Sequence, residues 1–243
     1  MVYIQQELER LKSEVLEMWD LVNSQLNRAG EALLSLDKEM AREVMYREKR
    51  VNAFELKIDC DCEDIIGLYN PVALDLRFTL STMKIGTNLE RIGDFCEGIA
   101  RFVLDYPEVN IEADLFDRTG IKEMITIVKE MLRRTRDAYE QESSSLATSI
   151  FAMDTRVDEL NRAAIPIIAR HLQQVPERAI ECLNLISIIR RLERMGDHCN
   201  NIAEDVVFYI DAKVLKHADN NSFLNHQSLI TFTIPPISTQ TTP

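Results

Sequence analysis

Residues 89–102 read LERIGDFCEGIARF, and residues 192–205 read LERMGDHCNNIAED. Eight of the fourteen positions are identical, and the two stretches lie 103 residues apart in a chain of 243 residues. Self-similarity at a fixed offset is the signature of a repeated structural unit. The sequence therefore predicts two copies of one unit, each of which carries the same motif.

The composition predicts that both copies are helical. Glycine and proline number only 7 each, and tight turns depend on these two residue types. A chain with so few turns must consist of a small number of long elements, which excludes an all-β fold. Because 46% of the residues are hydrophobic, the chain can bury a sizeable core and is not disordered as a whole.

Apolar residues recur at helical spacing in six long segments. Asp37 is placed to cap the second helix, Pro71 and Pro176 suit the first turns of later helices, and Pro166 predicts a kink inside the fifth. The predicted helices cover residues 3–34, 37–69, 71–105, 115–141, 146–173 and 176–216.

These segments predict an all-α fold of two tandem three-helix bundles related by an internal pseudo-twofold repeat. The first bundle takes residues 1–107 and the second takes residues 112–216. Residues 219–243 are rich in Asn, Ser, Thr and Pro and are predicted to form a flexible or extended tail.

The repeated motif places two carboxylates on one helical face. Glu90 and Asp94 are four residues apart, as are Glu193 and Asp197, so each pair lies side by side. Apolar neighbours place the pairs at the edge of the core, where like charges are costly. A bound cation would remove that cost, and carboxylate oxygens suit Mg, Ca, Mn or Fe.

A second set of polar pairs has the same spacing on the preceding helices. Glu48 and Asn52 lie on the second helix, and Asp154 and Asp158 lie on the fifth. In antiparallel hairpins these residues can face the repeated motifs, so the sequence predicts four oxygen-bearing side chains in each half. Because Asn52 carries no charge, the second site is predicted to be the stronger.

Other interpretations of these residues stay open at the sequence level. A single E-x-x-x-D pattern is also typical of a solvated helical face, and Arg91 or Arg194 could simply pair with the carboxylates. Three other arginines near the motifs are predicted to form salt bridges with the carboxylates, with anion binding as the alternative: Arg77, Arg190 and Arg191. Cys96 and Cys199 are predicted to be core thiols, and His198 is not predicted to be a ligand.

The charge and the missing motifs bound the function. A net charge of −12 excludes nucleic-acid binding through bulk electrostatics. The chain has neither an apolar run long enough for membrane insertion nor a signal sequence, and its five unevenly spaced cysteines favour the cytoplasm. Nucleotide-binding and hydrolase motifs are also missing, which predicts a binding scaffold that is not an enzyme.

The motifs resemble those of the PhoU family of phosphate transport regulators. Residues 70–78 read NPVALDLRF and are followed by NLERIGD at 88–94, while RLERMGDH at 191–198 is followed by NIAE at 201–204. The resemblance covers about residues 1–216. It implies a negative regulator of phosphate uptake and of the phosphate-starvation response. Such a protein links the ATPase subunit of the phosphate ABC transporter to a sensor histidine kinase at the inner face of the membrane, as a homodimer.

The same resemblance implies metal sites. It assigns Glu90, Asp94, Glu193 and Asp197 as ligands, with Glu48, Asn52, Asp154 and Asp158 as facing candidates, and iron or another divalent cation such as Zn, Mg, Mn or Ca as the metal. The alternative function is a metal-dependent helical enzyme of the carboxylate-bridged type. A helical bundle with a purely structural role and no metal is a third possibility.

Overall fold

The computed structural model describes residues 2–105 and 113–215, and both ranges are helical with short turns. The first half contains α1 (Val2–Ser35), α2 (Lys38–Tyr69) and α3 (Ala73–Asp105). The second half contains α4 (Ala113–Thr119), α5 (Ile121–Glu140), α6 (Ser144–Thr148), α7 (Phe151–Gln174) and α8 (Ala179–Asp211). No strand occurs in either range. The predicted all-α class with two repeats of a three-helix bundle is confirmed.

The ends of α2 follow from local sequence. The side chain of Asp37 accepts hydrogen bonds from the backbone amides of Glu39 and Met40, at 2.8 and 3.1 Å, as the predicted helix cap requires. At the other end Asn70 adopts a positive φ of 47°, and Pro71 follows it. Proline disfavours helical geometry in the residue before it, so the chain turns here into α3.

The second half departs from the prediction of three uninterrupted helices. The predicted helix 115–141 is wrong as a single element, because Gly120 has a φ of 73° and separates α4 from α5. The predicted helix 146–173 is likewise divided, into the short α6 and the longer α7, and α7 continues through Pro166. The last helix ends at Asp211 rather than at residue 216, because Ala212 takes a left-handed conformation.

The two halves share one hydrophobic core. Helix α3 packs against α8, and α1 packs against α5. Trp19 is fully buried and donates its indole hydrogen to the carbonyl of Leu132 at 3.2 Å. Tyr139 lies within hydrogen-bond distance of Thr82, at 3.2 Å, and its carbonyl accepts a bond from the Tyr209 hydroxyl. These contacts join the bundles at their centre.

Some predictions fall outside the described residues. The tail at 219–243 and the predicted boundaries between 107 and 112 lie there, so the limits of the two domains stay predictions. Within 2–105 and 113–215, no helix combines the length and the apolar character that crossing a membrane requires.

Candidate metal centre

Two of the predicted ligands are buried, and each half contains one of them. Glu48 on α2 is 5% exposed and Asp154 on α7 is 6% exposed. Both lie against a glycine of the repeated motif on the neighbouring helix, Gly93 on α3 and Gly196 on α8. The structure therefore brings the facing helices together at the predicted positions.

In the first half, a buried amide fixes Glu48. Gln25 on α1 is fully buried and donates from Nε2 to Oε2 of Glu48 at 2.8 Å. A β-carbon at Gly93 would lie only 3.1 Å from Oε2 of Glu48, so the missing side chain makes room for the carboxylate. Burial raises the pKa of Glu48, and the hydrogen bond from Gln25 opposes that rise.

The repeated pair of the first half lies beside this buried carboxylate. Burial raises the pKa of Glu90 to about 7, and the nearby charges of Asp94 and Glu55 add to the effect. Arg91 pairs with both members, at 3.3 Å to Oδ2 of Asp94 and 3.6 Å to Oε2 of Glu90. The alternative that Arg91 pairs with these carboxylates is therefore confirmed, and one cation already offsets part of their charge.

Asn52 lies exposed one turn beyond Glu48. The next turn of α2 carries Glu55, which is half-buried and close enough to raise the pKa of Glu90. Burial, followed by the charge of Asp59, also raises the pKa of Glu55 itself. Glu55 thus supplies the charge that Asn52 lacks, and the first half presents four carboxylates instead of three.

In the second half, the amide comes from a different helix. Asn200 on α8 donates from Nδ2 to Oδ2 of Asp154 at 2.6 Å. A β-carbon at Gly196 would lie 2.8 Å from Oδ1 of Asp154. Burial raises the pKa of Asp154 to about 6, the Asn200 hydrogen bond opposes the rise, and the charges of Asp197, Asp158 and Glu193 add to it.

The other carboxylates of the second half influence one another. Burial raises the pKa of Glu193, with the charges of Asp197 and Asp158 contributing in the same direction. The pKa of Asp197 is raised first by burial and then by Asp158. Arg194 lowers both values but forms no ion pair with any described residue, unlike its equivalent Arg91. The four predicted ligands of this half therefore act on one another as a cluster.

Three carboxylate oxygens of these clusters are buried without a hydrogen-bond partner: Oε1 of Glu48, Oε2 of Glu90 and Oδ1 of Asp154. A buried oxygen without a partner is costly, and a hard cation is the kind of ligand that such oxygens accept. In the described ranges, no three Asp, Glu, His or Cys side chains already stand close enough to hold a metal ion. The donors therefore suit a hard cation in chemical kind, although their side chains do not converge on one point in the described ranges.

The remaining polar groups near the motifs have structural roles. Cys96 and Cys199 are fully buried, and burial raises the pKa of both thiols, so their predicted place in the core is confirmed. His198 places Nδ1 at 2.8 Å from Oδ1 of Asn88. Arg77, predicted to pair with a motif carboxylate, instead donates to the carbonyl of Tyr209 at 3.4 Å.

Sequence reasoning missed Gln25 and Asn200, which hold the two buried carboxylates. Gln25 interrupts the apolar stripe of α1 between Val22 and Leu26, and a polar residue inside such a stripe is a signal that could have found it. Its equivalent in the second half is Met131, at the offset of 106 residues that also separates Glu48 from Asp154. The Cε of Met131 would lie 3.8 Å from a β-carbon at Gly196. The two halves thus draw the amide from different helices.

The fold and the site define a class: an internally duplicated helical protein in which each half buries a carboxylate against a motif glycine. The sequence-family model of the PhoU domain matches residues 15–103 and 121–206. The chain therefore belongs to the PhoU family. A relative from Pseudomonas aeruginosa, called a phosphate-specific transport system accessory protein PhoU homolog, is 31% identical over 211 residues, 87% of this chain and 86% of its own.

Solved structures agree with this assignment. The crystal structure of PhoU from Pseudomonas aeruginosa superposes with a TM-score of 0.80 at 31% identity, over 86% of this chain and 99% of that one. The phosphate transport system regulatory protein PhoU from Streptococcus pneumoniae gives 0.78 at 29% identity, over 87% and 99%. These names describe accessory and regulatory proteins and do not favour the enzyme alternative.

Proposed function

We propose that this chain is a regulator of phosphate uptake and a negative regulator of the phosphate-starvation response. The observation that carries the proposal is the match to the PhoU domain in both halves, together with relatives whose names place them in phosphate-specific transport. The chain acts without catalysis, in the cytoplasm and at the inner face of the membrane. Its partners are the ATPase subunit of the phosphate ABC transporter and a sensor histidine kinase.

A protein of this kind signals through differential affinity. It can shift a partner between states only if it binds one state more tightly than the other. The two pseudo-equivalent halves offer two related helical surfaces, so one half can engage the transporter while the other engages the kinase. A change in phosphate status then changes the state of the transporter that the chain binds, and with it the state of the kinase that the chain favours.

The carboxylate clusters are proposed to bind iron or another divalent cation, such as Mn, Mg, Ca or Zn. The buried oxygens of Glu48 and Asp154 that have no hydrogen-bond partner support this part of the proposal. A bound cation would neutralise each cluster and tie α2 to α3 and α7 to α8. Gln25 and Asn200 hold the buried carboxylates in place and leave one oxygen of each available.

Deletion of the gene tests the regulatory role. In phosphate-rich medium, the deletion strain is expected to express alkaline phosphatase constitutively, and the intact gene is expected to restore repression. Pull-down of the transporter ATPase and the sensor kinase at high and low phosphate tests the adaptor role. Unchanged phosphatase expression in the deletion strain contradicts the proposed function.

Variants separate the metal from the signal. Glu193→Gln with Asp197→Asn is expected to reduce bound metal, and exposed Glu17→Gln on α1 is the matched control. If the double variant loses metal but still represses phosphatase, the metal has a structural role only.

The chain is further proposed to form a homodimer. Large apolar side chains stand exposed around the α2–α3 turn, among them Leu68, Val72 and Leu74, which are 52 to 73% exposed. Exposed apolar surface of this kind marks contact sites. Analytical ultracentrifugation is expected to give twice the chain mass of 28.0 kDa, and Val72→Asp with Leu74→Asp is expected to give monomers.

A further inference from the structure

A groove of about 650 Å³ runs between α3 and α8, and arginines dominate its lining. Arg101 comes from α3, while Arg190, Arg191 and Arg194 come from little more than one turn of α8. This concentration of positive charge stands out on a chain with a net charge of −12.

The acids in and beside the groove offset this positive charge only in part, and the charges of Arg194 and Arg190 act on the pKa of Glu193 without a direct ion pair. Glu97 pairs with Arg101 at 3.0 Å, and Asp94 pairs with Arg91 at 3.3 Å. Arg190, Arg191 and Arg194 form no ion pair or hydrogen bond with any described residue. The prediction that Arg190 and Arg191 form salt bridges with the motif carboxylates is therefore wrong, and their guanidinium donors are available to a ligand.

The absence of a side chain at Gly98 leaves the space that the end of Arg191 occupies. A β-carbon at Gly98 would overlap the guanidinium group of Arg191, so the arginine lies directly against the backbone of α3. A smaller cavity of about 220 Å³ adjoins the groove at these two residues and includes Asp105 and Asn184 in its lining. Nδ2 of Asn184 is buried without a hydrogen-bond partner, which adds an unused donor beside the arginines.

The internal repeat supplies a comparison within the same molecule. At the same offset of 103 residues, Arg191 and Gly98 correspond to Asn88 and Asn201, and there Nδ2 of Asn201 lies 3.5 Å from Oδ1 of Asn88. Arg190 corresponds to Thr87. The equivalent positions of the repeat thus carry two amides and a hydroxyl where the groove has two arginines and a glycine.

We infer that the arginine-lined groove is a binding site for an anion with two or more phosphate groups. Guanidinium groups bind phosphate oxygens with paired, charge-assisted hydrogen bonds, and an anion would relieve the repulsion among three unpaired arginines. The volume exceeds that of a single phosphate, and the unpaired donors are spread along α8 from Asn184 to Arg194. The choice of phosphate over another anion rests on the proposed role in phosphate control.

Calorimetric titration of the full chain tests this site. Protein is first treated with a chelating resin, so that no metal bridges the anion to the carboxylates, and is then titrated with tripolyphosphate, pyrophosphate, orthophosphate or sulfate. Tripolyphosphate and pyrophosphate are expected to bind at least tenfold more tightly than sulfate. Arg190→Ala with Arg191→Ala is expected to weaken this binding at least tenfold, whereas Arg170→Ala, an exposed arginine on α7, leaves it unchanged.

Gly98→Ala provides a second variant that preserves every charge. Alanine favours the helix and displaces only the flexible end of Arg191, so the chain is expected to fold and to bind tripolyphosphate at least threefold more weakly. Equal affinity of wild type and the double arginine variant for tripolyphosphate overturns the inference. So does binding of an Asp/Glu-rich peptide at these arginines that tripolyphosphate does not displace. Neither outcome changes the result expected for phosphatase repression, so the gene deletion tests the proposed function independently of this site.

Discussion

Asn200 donates a 2.6 Å hydrogen bond to Asp154, and the carboxylate that it holds lies 2.8 Å from where a β-carbon of Gly196 would be. One face of α8 therefore supplies both the donor and the space for a carboxylate from α7. The first half reaches the same result for Glu48 with Gly93 on α3 and with Gln25 on α1. The buried carboxylate, rather than the less buried motif pair, is the most constrained part of each site.

Replacement of the buried amide in the first half is expected to destabilise the protein. Gln25→Met introduces the residue type found at the equivalent Met131, but it leaves Oε2 of Glu48 buried without its donor. A loss of about 1–3 kcal/mol in the free energy of unfolding is expected, as measured by urea denaturation. Exposed Gln6→Met on α1 serves as the control, and equal losses in both variants would contradict this role of the amide.

Stability is expected to fall as the pH rises from about 4.5 to 7. Burial raises the pKa of Glu90 to about 7 and that of Asp154 to about 6, so the folded protein binds protons that the unfolded chain has already released. The stabilising contribution is complete below the unfolded-state values and is lost as pH passes through the folded-state values. Urea denaturation of metal-free protein between pH 4.5 and 7.5 measures this slope.

The variant Glu90→Gln with Asp154→Asn is expected to flatten that slope, since neither side chain then titrates. Glu130→Gln is the contrasting variant, because Arg133 and Arg134 lower the pKa of Glu130 to about 2. Glu130 stabilises fully above its unfolded-state pKa of about 4.5 and loses this contribution only as the pH falls toward 2, so Glu130→Gln leaves the slope between pH 4.5 and 7.5 unchanged. A slope that persists unchanged in the double variant counts against these two groups as its source.

Divalent cations are expected to stabilise the protein. A ligand that binds only the folded state adds about 2.7 kcal/mol at a concentration 100 times its Kd. Because a cation competes with protons for the carboxylates, the shift in Tm on adding Mn²⁺ is expected to be larger at pH 7.5 than at pH 5.5. Glu193→Gln with Asp197→Asn is expected to reduce it, and the same shift in this variant would exclude these residues as ligands.

The motif glycines are expected to tolerate no side chain. Gly196→Ala places a β-carbon 2.8 Å from Oδ1 of Asp154, whose position Asn200 fixes, so a loss of about 1–3 kcal/mol is expected. Gly67→Ala on α2 is the matched control, because no atom lies within 4 Å of the added carbon. It is expected to stabilise by about 1 kcal/mol through helix propensity. Thermal denaturation of both variants gives the comparison.

Much of the fold could be predicted from the sequence, because the apolar spacing of long helices and the cap at Asp37 are local signals. The break at Gly120 could not be predicted, since helices tolerate isolated glycines and only the backbone φ of 73° shows that this one lies in a turn. Residue spacing identified Glu48 and Asp154 correctly as facing the motifs. It could not distinguish Asn52 from Glu55, because which turn of α2 faces α3 depends on how the two helices are rotated.

The difference in the source of the amide limits how the protein can be recombined. In the repeat, Glu97 on α3 takes the place of Asn200 on α8, and Met131 on α5 takes the place of Gln25 on α1. Each half therefore has one amide donor for its own buried carboxylate, but the first half carries it on α1 and the second half carries it on α8. If α1 carried methionine at position 25, as the second half does at Met131, and α3 kept Glu97, then Glu48 would have no amide donor at all. A single helix therefore cannot be exchanged between the halves without loss of a donor, so each buried carboxylate has to diverge together with the helix that holds it.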